Sequence, residues 1–312
     1  MHDLKDNFAA ESTRGTTATM TVIICTYQRP ELLEISLSTL QLQTLSKDKF
    51  RVFVVDNAGQ PSVAHIAERF GASYYHAPVV GHSGARNFGW ITARTEWILY
   101  LDDDIKAPPD LLERFYHRML LPEVDVLGGR YVHWYRVPPP AWLHRYYGEG
   151  REPCGMAEWG ELPEDAMLSG NILAARRTVL QSVGGFRTDK GMIGMQVGWG
   201  DDDHFQIDAR AKGYRIFYDP DLWIHHLVQP YKYTIAANLR MAYAMGRDVG
   251  KYGDRGRIGT LRLAFLGLRA ICVTFPHTVL YALTDRAYTW QNMAVDVGSK
   301  LTYAWGRFLP NR

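Results

Sequence analysis

Cysteine is scarce, with three in 312 residues: Cys25, Cys154 and Cys272. They are far apart and odd in number, which excludes a disulfide framework and a thiolate metal cluster. A reducing compartment fits that usage. An excess of charge of one sign is also lacking, at 35 Lys and Arg against 33 Asp and Glu. A formal +2 gives no field to draw in a polyanion, so no nucleic-acid partner is expected. No stretch reaches 18 uninterrupted apolar residues, so no transmembrane helix is expected. The opening MHDLKDNFAAESTRGTTATM has no apolar h-region. It reads as a flexible arm over 1–19, not as a signal peptide. Repeats and long low-complexity segments are missing too. What remains is ordinary globular composition, 46% hydrophobic and 22% charged. The length suits one large domain, or a domain with an appendage.

The first hundred residues alternate strand and helix signals. TVIICTY (21–27) is a β-branched apolar run and reads as a buried strand. Pro30 opens a helix with apolar spacing near 3.6. FRVFVVDNAG (50–59) is a second strand, followed by a helix at about 61–70 and a short strand at 72–76. GHSGARNFGW (81–90) leads into another helix, and EWILYLDDD (96–104) is the next strand. Such alternation predicts βαβ units and a mostly parallel sheet. Ligands then sit at the carboxyl ends of the strands. That rule gathers Thr26, Tyr27, Asp56, Asn57 and Asp102–Asp104 along one edge.

The segment 131–165 carries many aromatics, Pro and Gly with little periodicity, and reads as a long functional loop or lid. A strand resumes at 171–175, with a helix to Ser182 and a Gly-Gly-Phe turn at 184–186. A helix is predicted over 201–212, and two short strands end at His225-His226. From about 231 the chain reads as helical to its end. Residues 241–312 hold ten Lys and Arg against four Asp and Glu. Arg255, Arg262 and Arg269 are seven apart and share a helix face, among apolar residues such as Leu261 and Phe265. The segment 255–312 reads equally as an interfacial amphipathic unit or as helices packed on the domain with snorkelling arginines.

Two acidic runs carry the chemistry. Asp102-Asp103-Asp104 closes a strand and suits a hard cation such as Mg²⁺ or Mn²⁺. Strand alternation would point Asp102 and Asp104 the same way. The bland alternative is a solvated turn before a helix. Asp201, Asp202 and Asp203 open a helix after GWG (198–200). Capping explains one acid, and a general base is a role for another. Either imidazole of His225-His226 could bind a metal. Trp134, Tyr135, Trp142, Tyr146, Tyr147 and Trp159 load the loop with aromatic faces suited to stacking as well as to packing, and Trp199 stands beside the second acidic run.

Taken in order, TVIICTYQRP, VFVVDNAG, GHSGARNFGW, YLDDDI, LSGNILAARRTVLQSVGGF and GDDDHFQIDARAKGY resemble family 2 of the inverting glycosyltransferases, over about 21–226. The resemblance implies the α/β GT-A fold, a Rossmann-like central sheet flanked by helices, here with a C-terminal helical extension. It implies a GT-A domain over 20–230, with a nucleotide-sugar half at 20–130 and an acceptor half at 131–230, and the extension at 231–312. It implies donor binding by Thr26, Tyr27, Arg29, Asp56, Arg86, Asn87, Asp102 and Asp103. A divalent cation would be held by Asp104, His226 and Asp102. Asp202 would be the catalytic base beside Asp201, and Trp199, Asp201, Gly170 and Asn171 would meet the acceptor. His204 departs from the family pattern, which commonly has Asp there.

The implied partners are a nucleotide-sugar donor, with UDP the family's commonest carrier, and a glycan or polyprenyl-diphosphate-linked oligosaccharide acceptor. The implied location is cytoplasmic and peripheral at the membrane face, through 255–312. Two other readings compete. One is a non-catalytic nucleotide-sugar-binding scaffold on the same fold. The other is a D-x-D phosphatase, in which a Thr or Val normally stands where this chain has Lys106.

Overall fold

This computed structural model describes residues 18–58, 62–153, 155–189, 191–192, 198, 200–252 and 256–309. Trp199, Cys154 and Arg255 lie outside them, as does the expected arm except for its last two residues.

The chain begins β1 (Met20–Thr26), α1 (Pro30–Gln41), β2 (Phe50–Asp56), α2 (Ala64–Arg69), β3 (Ser73–His76), α3 (His82–Thr92), β4 (Trp97–Asp102). Strands β3, β2, β1 and β4 pair in parallel in that order. Val22, Val54 and Leu99 pack on one side of the sheet, and Ile23, Val55 and Ile98 on the other. Burial on both faces is why these strands read as unbroken apolar runs. Trp97, Ile98, Leu99, Tyr100 and Leu101 are each at most 2% exposed. Each such side chain contributes about 1.5–3 kcal/mol by leaving water. The acids that follow are therefore mounted on one of the most firmly held strands.

Past β4 the sheet is mixed. After β5 (Ile105–Lys106) and α4 (Leu111–Met119) come β6 (Val126–Trp134), a 3₁₀ turn at Ala141–Leu143, and α5 (His144–Tyr147). Next are β7 (Gly150–Arg151), β8 (Gly160–Glu161), β9 (Ile172–Arg176), α6 (Arg177–Val183), α7 (Asp201–Ala211) and β10 (Ile216–Leu227). The sheet order is β3-β2-β1-β4-β9-β6-β10-β5, with β7 on β6 and β8 on β10. Strand β9 runs antiparallel to both β4 and β6, whereas β10 is parallel to β6. The expected loop at 131–165 thus contains half of β6 and four short elements. Its aromatics serve packing in part: Trp142 is buried, and Trp159 stacks on Phe217 at 5.1 Å.

The two short strands expected before His226 are one strand. The β6–β10 register shifts between Tyr218 and Trp223, so Asp219 to Leu222 bulge opposite Gly129. A Cβ on Gly129 would lie 1.7 Å from the Leu222 carbonyl oxygen, so the bulge requires glycine there.

A 3₁₀ turn at Pro230–Tyr233 leads to α8 (Ile235–Tyr252), α9 (Thr260–Arg269), a π turn at Ala270–Thr274, α10 (Phe275–Thr284) and α11 (Trp290–Phe308). Helices α8 and α11 approach closely: a Cβ on Gly246 would lie 2.1 Å from the Tyr303 carbonyl oxygen. Thr260–Thr284 forms one continuous 25-residue helix, long and apolar enough by composition to cross a membrane. No such helix was expected, because Arg262, Arg269 and His277 interrupt the apolar run. Only Ala270, Thr274 and Thr278 of this helix are buried. Leu261, Phe265, Leu268, Ile271 and Leu283 face outward.

Candidate active site

Strand β4 ends at Asp102, and Asp103-Asp104 form a turn before β5. Asp102 and Asp104 do share a side, though the turn rather than strand alternation brings this about. Both meet His226 near the end of β10. Its Nε2 is 3.6 Å from Asp102 Oδ2 and 3.2 Å from Asp104 Oδ1. One ligand atom from each of the three residues falls within 4.8 Å of the others. Asp104 Oδ1 is buried, with the His226 contact its one recorded polar neighbour among the described residues. Two carboxylates and an imidazole fit a hard divalent cation. Burial opposes charge on His226, but the Asp104 and Asp102 carboxylates outweigh it and lift its pKa to about 9. Burial also opposes ionisation of Asp102, yet His226, His82 and Arg86 hold its carboxyl below the usual range. His225 alternates to the other face of β10, its ring 5.1 Å from Trp223, and stays outside the group.

Asp103 turns the opposite way. Thr26 Oγ1 donates to it at 2.7 Å and Arg29 Nη1 at 3.2 Å. These three residues, with Tyr27 and Tyr231, line a cavity of about 400 Å³.

A second cavity of about 610 Å³ holds Asp102, His226, Gly170, Asn171, Asp201 and Asp202 together. The acids at 201–203 occupy the first turn of α7, where the helix dipole favours negative charge. The two leading acids differ in use. Asp201 Oδ2 accepts from Arg86 Nη1 at 3.2 Å and Ser83 Oγ at 3.3 Å, and lies 3.5 Å from His82 Nδ1. Burial resists its ionisation, but His82 and Arg86 overcome this and hold its carboxyl low. Asp201 thus ties α7 to α3. Asp202 Oδ2 accepts only the Gly170 N–H among the described residues, at 2.7 Å. Burial, with Asp201 and Asp203 nearby, pushes its pKa up to about 6. A carboxylate poised there can take a proton near neutral pH. A Cβ on Gly170 would lie 2.7 Å from Arg86 Nη2 and 2.8 Å from Asp202 Oδ2.

Two expected donor residues are occupied elsewhere. Asn87 lines neither cavity: its amide donates to Phe186 O at 2.7 Å and accepts Phe186 N at 2.8 Å. It clamps the Gly-Gly-Phe turn, whose glycines have φ of +84° and +76°. Asp56 also lines neither cavity, and accepts from Ala58 N and the Tyr74 hydroxyl. Arg86 is buried beneath the second cavity and donates to Gly170 O at 2.7 Å. His204 Nδ1 lies 2.8 Å from Gly200 O, at the start of its own helix. Trp199 lies outside the described residues.

Several residues here were missed from the sequence. His82 stands between Asp201 and Asp102, at 3.5 and 4.0 Å. Gln229 Nε2 donates to Asp104 Oδ2 at 2.9 Å. Lys232, Asn238 and Met241 line the larger cavity, and Ala237 and Arg240 the smaller. The available signal was QPYKY (229–233), a Pro turn three residues past His226.

Known proteins match this sequence and fold. The glycosyl transferase family 2 profile matches residues 21–183. The succinoglycan biosynthesis protein ExoM of Rhizobium meliloti (strain 1021) is 25% identical over 235 residues, 73% of each chain. Glycosyltransferase AglE of Haloferax volcanii is 30% identical over 116 residues, 35% of this chain and 38% of its own. The mannosyltransferase PcManGT from Pyrobaculum calidifontis, solved with GDP-Man and Mn²⁺, superposes with a TM-score of 0.61 at 19% identity, over 97% of this chain and 93% of its own. S. aureus TarS 1–349 gives 0.54 at 15% identity, over 92% of each. The fold is the GT-A fold of these enzymes. This chain belongs to glycosyl transferase family 2.

Proposed function

We propose that this glycosyltransferase moves a sugar, with inversion, from a nucleotide-sugar to a hydroxyl of a glycan or polyprenyl-diphosphate-linked oligosaccharide in surface-polysaccharide synthesis. The observation that carries this reading is that Asp202 shares one cavity with Asp102 and His226, which group with Asp104. Thr26, Tyr27, Arg29 and Asp103 line the donor side, and Gly170 and Asn171 the acceptor side. Asp202 takes the acceptor hydroxyl proton as that oxygen attacks the sugar C1 from the face opposite the nucleotide. Asp201, Arg86 and His82 hold Asp202 and Asp102 in register. Asp102, Asp104 and His226 would hold Mn²⁺ or Mg²⁺, which would supply a Lewis acid beside the donor diphosphate. The role of ExoM in succinoglycan synthesis supports a polysaccharide pathway. The GDP-Man of PcManGT and the UDP bound to TarS make both carriers reasonable, with UDP the first to try.

The test is a panel of UDP-, GDP- and dTDP-sugars with and without Mn²⁺, read by thermal unfolding and slow donor hydrolysis. One nucleotide class should stabilise the wild type only with metal, and Asp104→Ala should lose that shift. Stabilisation without any turnover would leave the scaffold reading in its place.

We place the enzyme in the cytoplasm, peripheral at the membrane face, with 20–230 as the GT-A domain and 231–312 as the docking extension. The uncovered apolar side of Thr260–Thr284 supports this. At 1.5 Å per residue the helix extends about 37 Å, enough to lie along or across a bilayer. Co-sedimentation with anionic liposomes is the expected result. Leu261→Glu with Phe265→Glu should abolish it, and equal sedimentation of that variant would refute the assignment.

A further inference from the structure

We propose that Lys232 is a further catalytic residue, whose ammonium receives the departing nucleoside diphosphate. The proposal rests on the nucleotide-sugar reading above. Lys232 sits in the Pro230–Tyr233 turn that follows β10. That turn is fastened on both sides of it. Gln229 donates to Asp104 Oδ2 at 2.9 Å, and Tyr231 lines the smaller cavity with Arg29. Lys232 N donates to Gln229 O at 2.9 Å, and Asn238 Nδ2 donates to Lys232 O at 3.0 Å. The side chain lines the larger cavity beside Asp102, His226 and Asp202.

The one cation–π neighbour recorded for its ammonium among the described residues is the Tyr231 ring, 5.9 Å away. Among the described residues no carboxylate oxygen lies within 4.0 Å of Lys232 Nζ. Burial pulls its pKa down, Asp104 and Asp102 act on it only from a distance, and Arg29 adds repulsion. A partly desolvated cation with an aromatic face but no carboxylate beside it favours the arrival of an anion. The anion this reaction delivers is the diphosphate. As the bond between the sugar C1 and the diphosphate oxygen breaks, the electron pair stays on that oxygen. The acceptor oxygen bonds to C1 and its proton goes to Asp202. Negative charge grows on the diphosphate in the transition state, so a fixed cation there stabilises that state more than the ground state. Lys232 lines the larger cavity, whereas Arg29 lines the smaller and is paired with Asp103 at 3.2 Å and Asp104 at 3.6 Å.

The experiment is calorimetric titration of UMP, UDP, GMP and GDP with Mn²⁺ into the wild type, Lys232→Met and Lys232→Arg. The wild type should prefer one diphosphate over its monophosphate by tenfold or more. Lys232→Met should lose most of that preference while monophosphate affinity is unchanged, and Lys232→Arg should restore part of it. Donor hydrolysis by Lys232→Met should fall by about 10²-fold, with thermal unfolding close to wild type. A preference unchanged in Lys232→Met, or an equal fall for monophosphate and diphosphate, overturns the proposal. So does an unchanged preference with a raised KM for acceptor, which would assign Lys232 to an anionic group of the acceptor. A wild type with no diphosphate preference overturns the nucleotide-sugar reading itself, and this proposal with it.

Discussion

Asp202→Asn should lower sugar transfer by about 10²–10⁴-fold and leave metal-dependent nucleotide affinity within about twofold. The asparagine keeps an oxygen for the Gly170 N–H, so the local geometry survives. What disappears is the ability to accept a proton. The wild-type pH profile should show the same group. Asp202 has a pKa of about 6, so kcat/KM should rise roughly tenfold per unit below that pH and level off above it. The stability effect has the opposite sign. A carboxyl whose folded pKa is raised binds its proton more tightly in the folded chain, so its stabilising contribution is lost as pH rises through about 6. At pH 7.5 the ionised Asp202 therefore burdens the fold, and Asp202→Asn should unfold at a higher temperature than wild type. A variant that turns over at wild-type rate, or a flat profile between pH 5 and 7, would remove Asp202 from the base role.

Gly129→Ala should be among the most damaging single methyl additions in the sheet. The added carbon would meet the Leu222 carbonyl oxygen at 1.7 Å, and that oxygen belongs to backbone, so no rotamer relieves the clash. Strands β6 and β10 would have to separate at the bulge, where Leu222 is wholly buried. A loss of about 3 kcal/mol or more is expected, a fall in Tm of roughly 5–10 °C. Gly267→Ala is the control. It lies in exposed α9 with no atom within 4 Å of the added carbon. Helix propensity alone should make it neutral or stabilising by up to about 1 kcal/mol. Equal Tm values for the two variants would show that the bulge yields easily.

These two sites differ in how far they could be read in advance. The acids were legible because each run stands at an element boundary, where three adjacent carboxylates have no role in a core. The first four strands were legible because two-sided burial leaves unbroken apolar runs. The position of β9 between β4 and β6 was not, since Ile172 pairs with Leu101 across some seventy residues of chain with no local mark. Asn87 and Asp56 show the converse difficulty. Their residue types suit a nucleotide, but Asn87 bonds the Phe186 backbone and Asp56 accepts from Ala58 N and the Tyr74 hydroxyl, and sequence does not display that. The family resemblance favoured His226 over His225, and the fold sets His226 beside Asp102 and Asp104. Gln229 and Lys232 went unread because a polar turn after a strand is ordinary, and only the fold sets this one against Asp104.

The walls of both cavities have a consequence for synthesis. Met241 of α8 lines both, Tyr146 and Tyr147 line the larger, and the Tyr146 hydroxyl donates to Asp296 of α11 at 2.9 Å. Asn292 of α11 also donates to Trp142 O at 2.8 Å. A ribosome that has translated residue 230 has already made Asp102, Asp104, Asp202 and His226, yet not Met241, Asn292 or Asp296. Until these emerge, the nascent chain lacks the cavity wall at Met241 and the α11 contacts to Tyr146 and Trp142, so the candidate acids are synthesised ahead of the parts that enclose them.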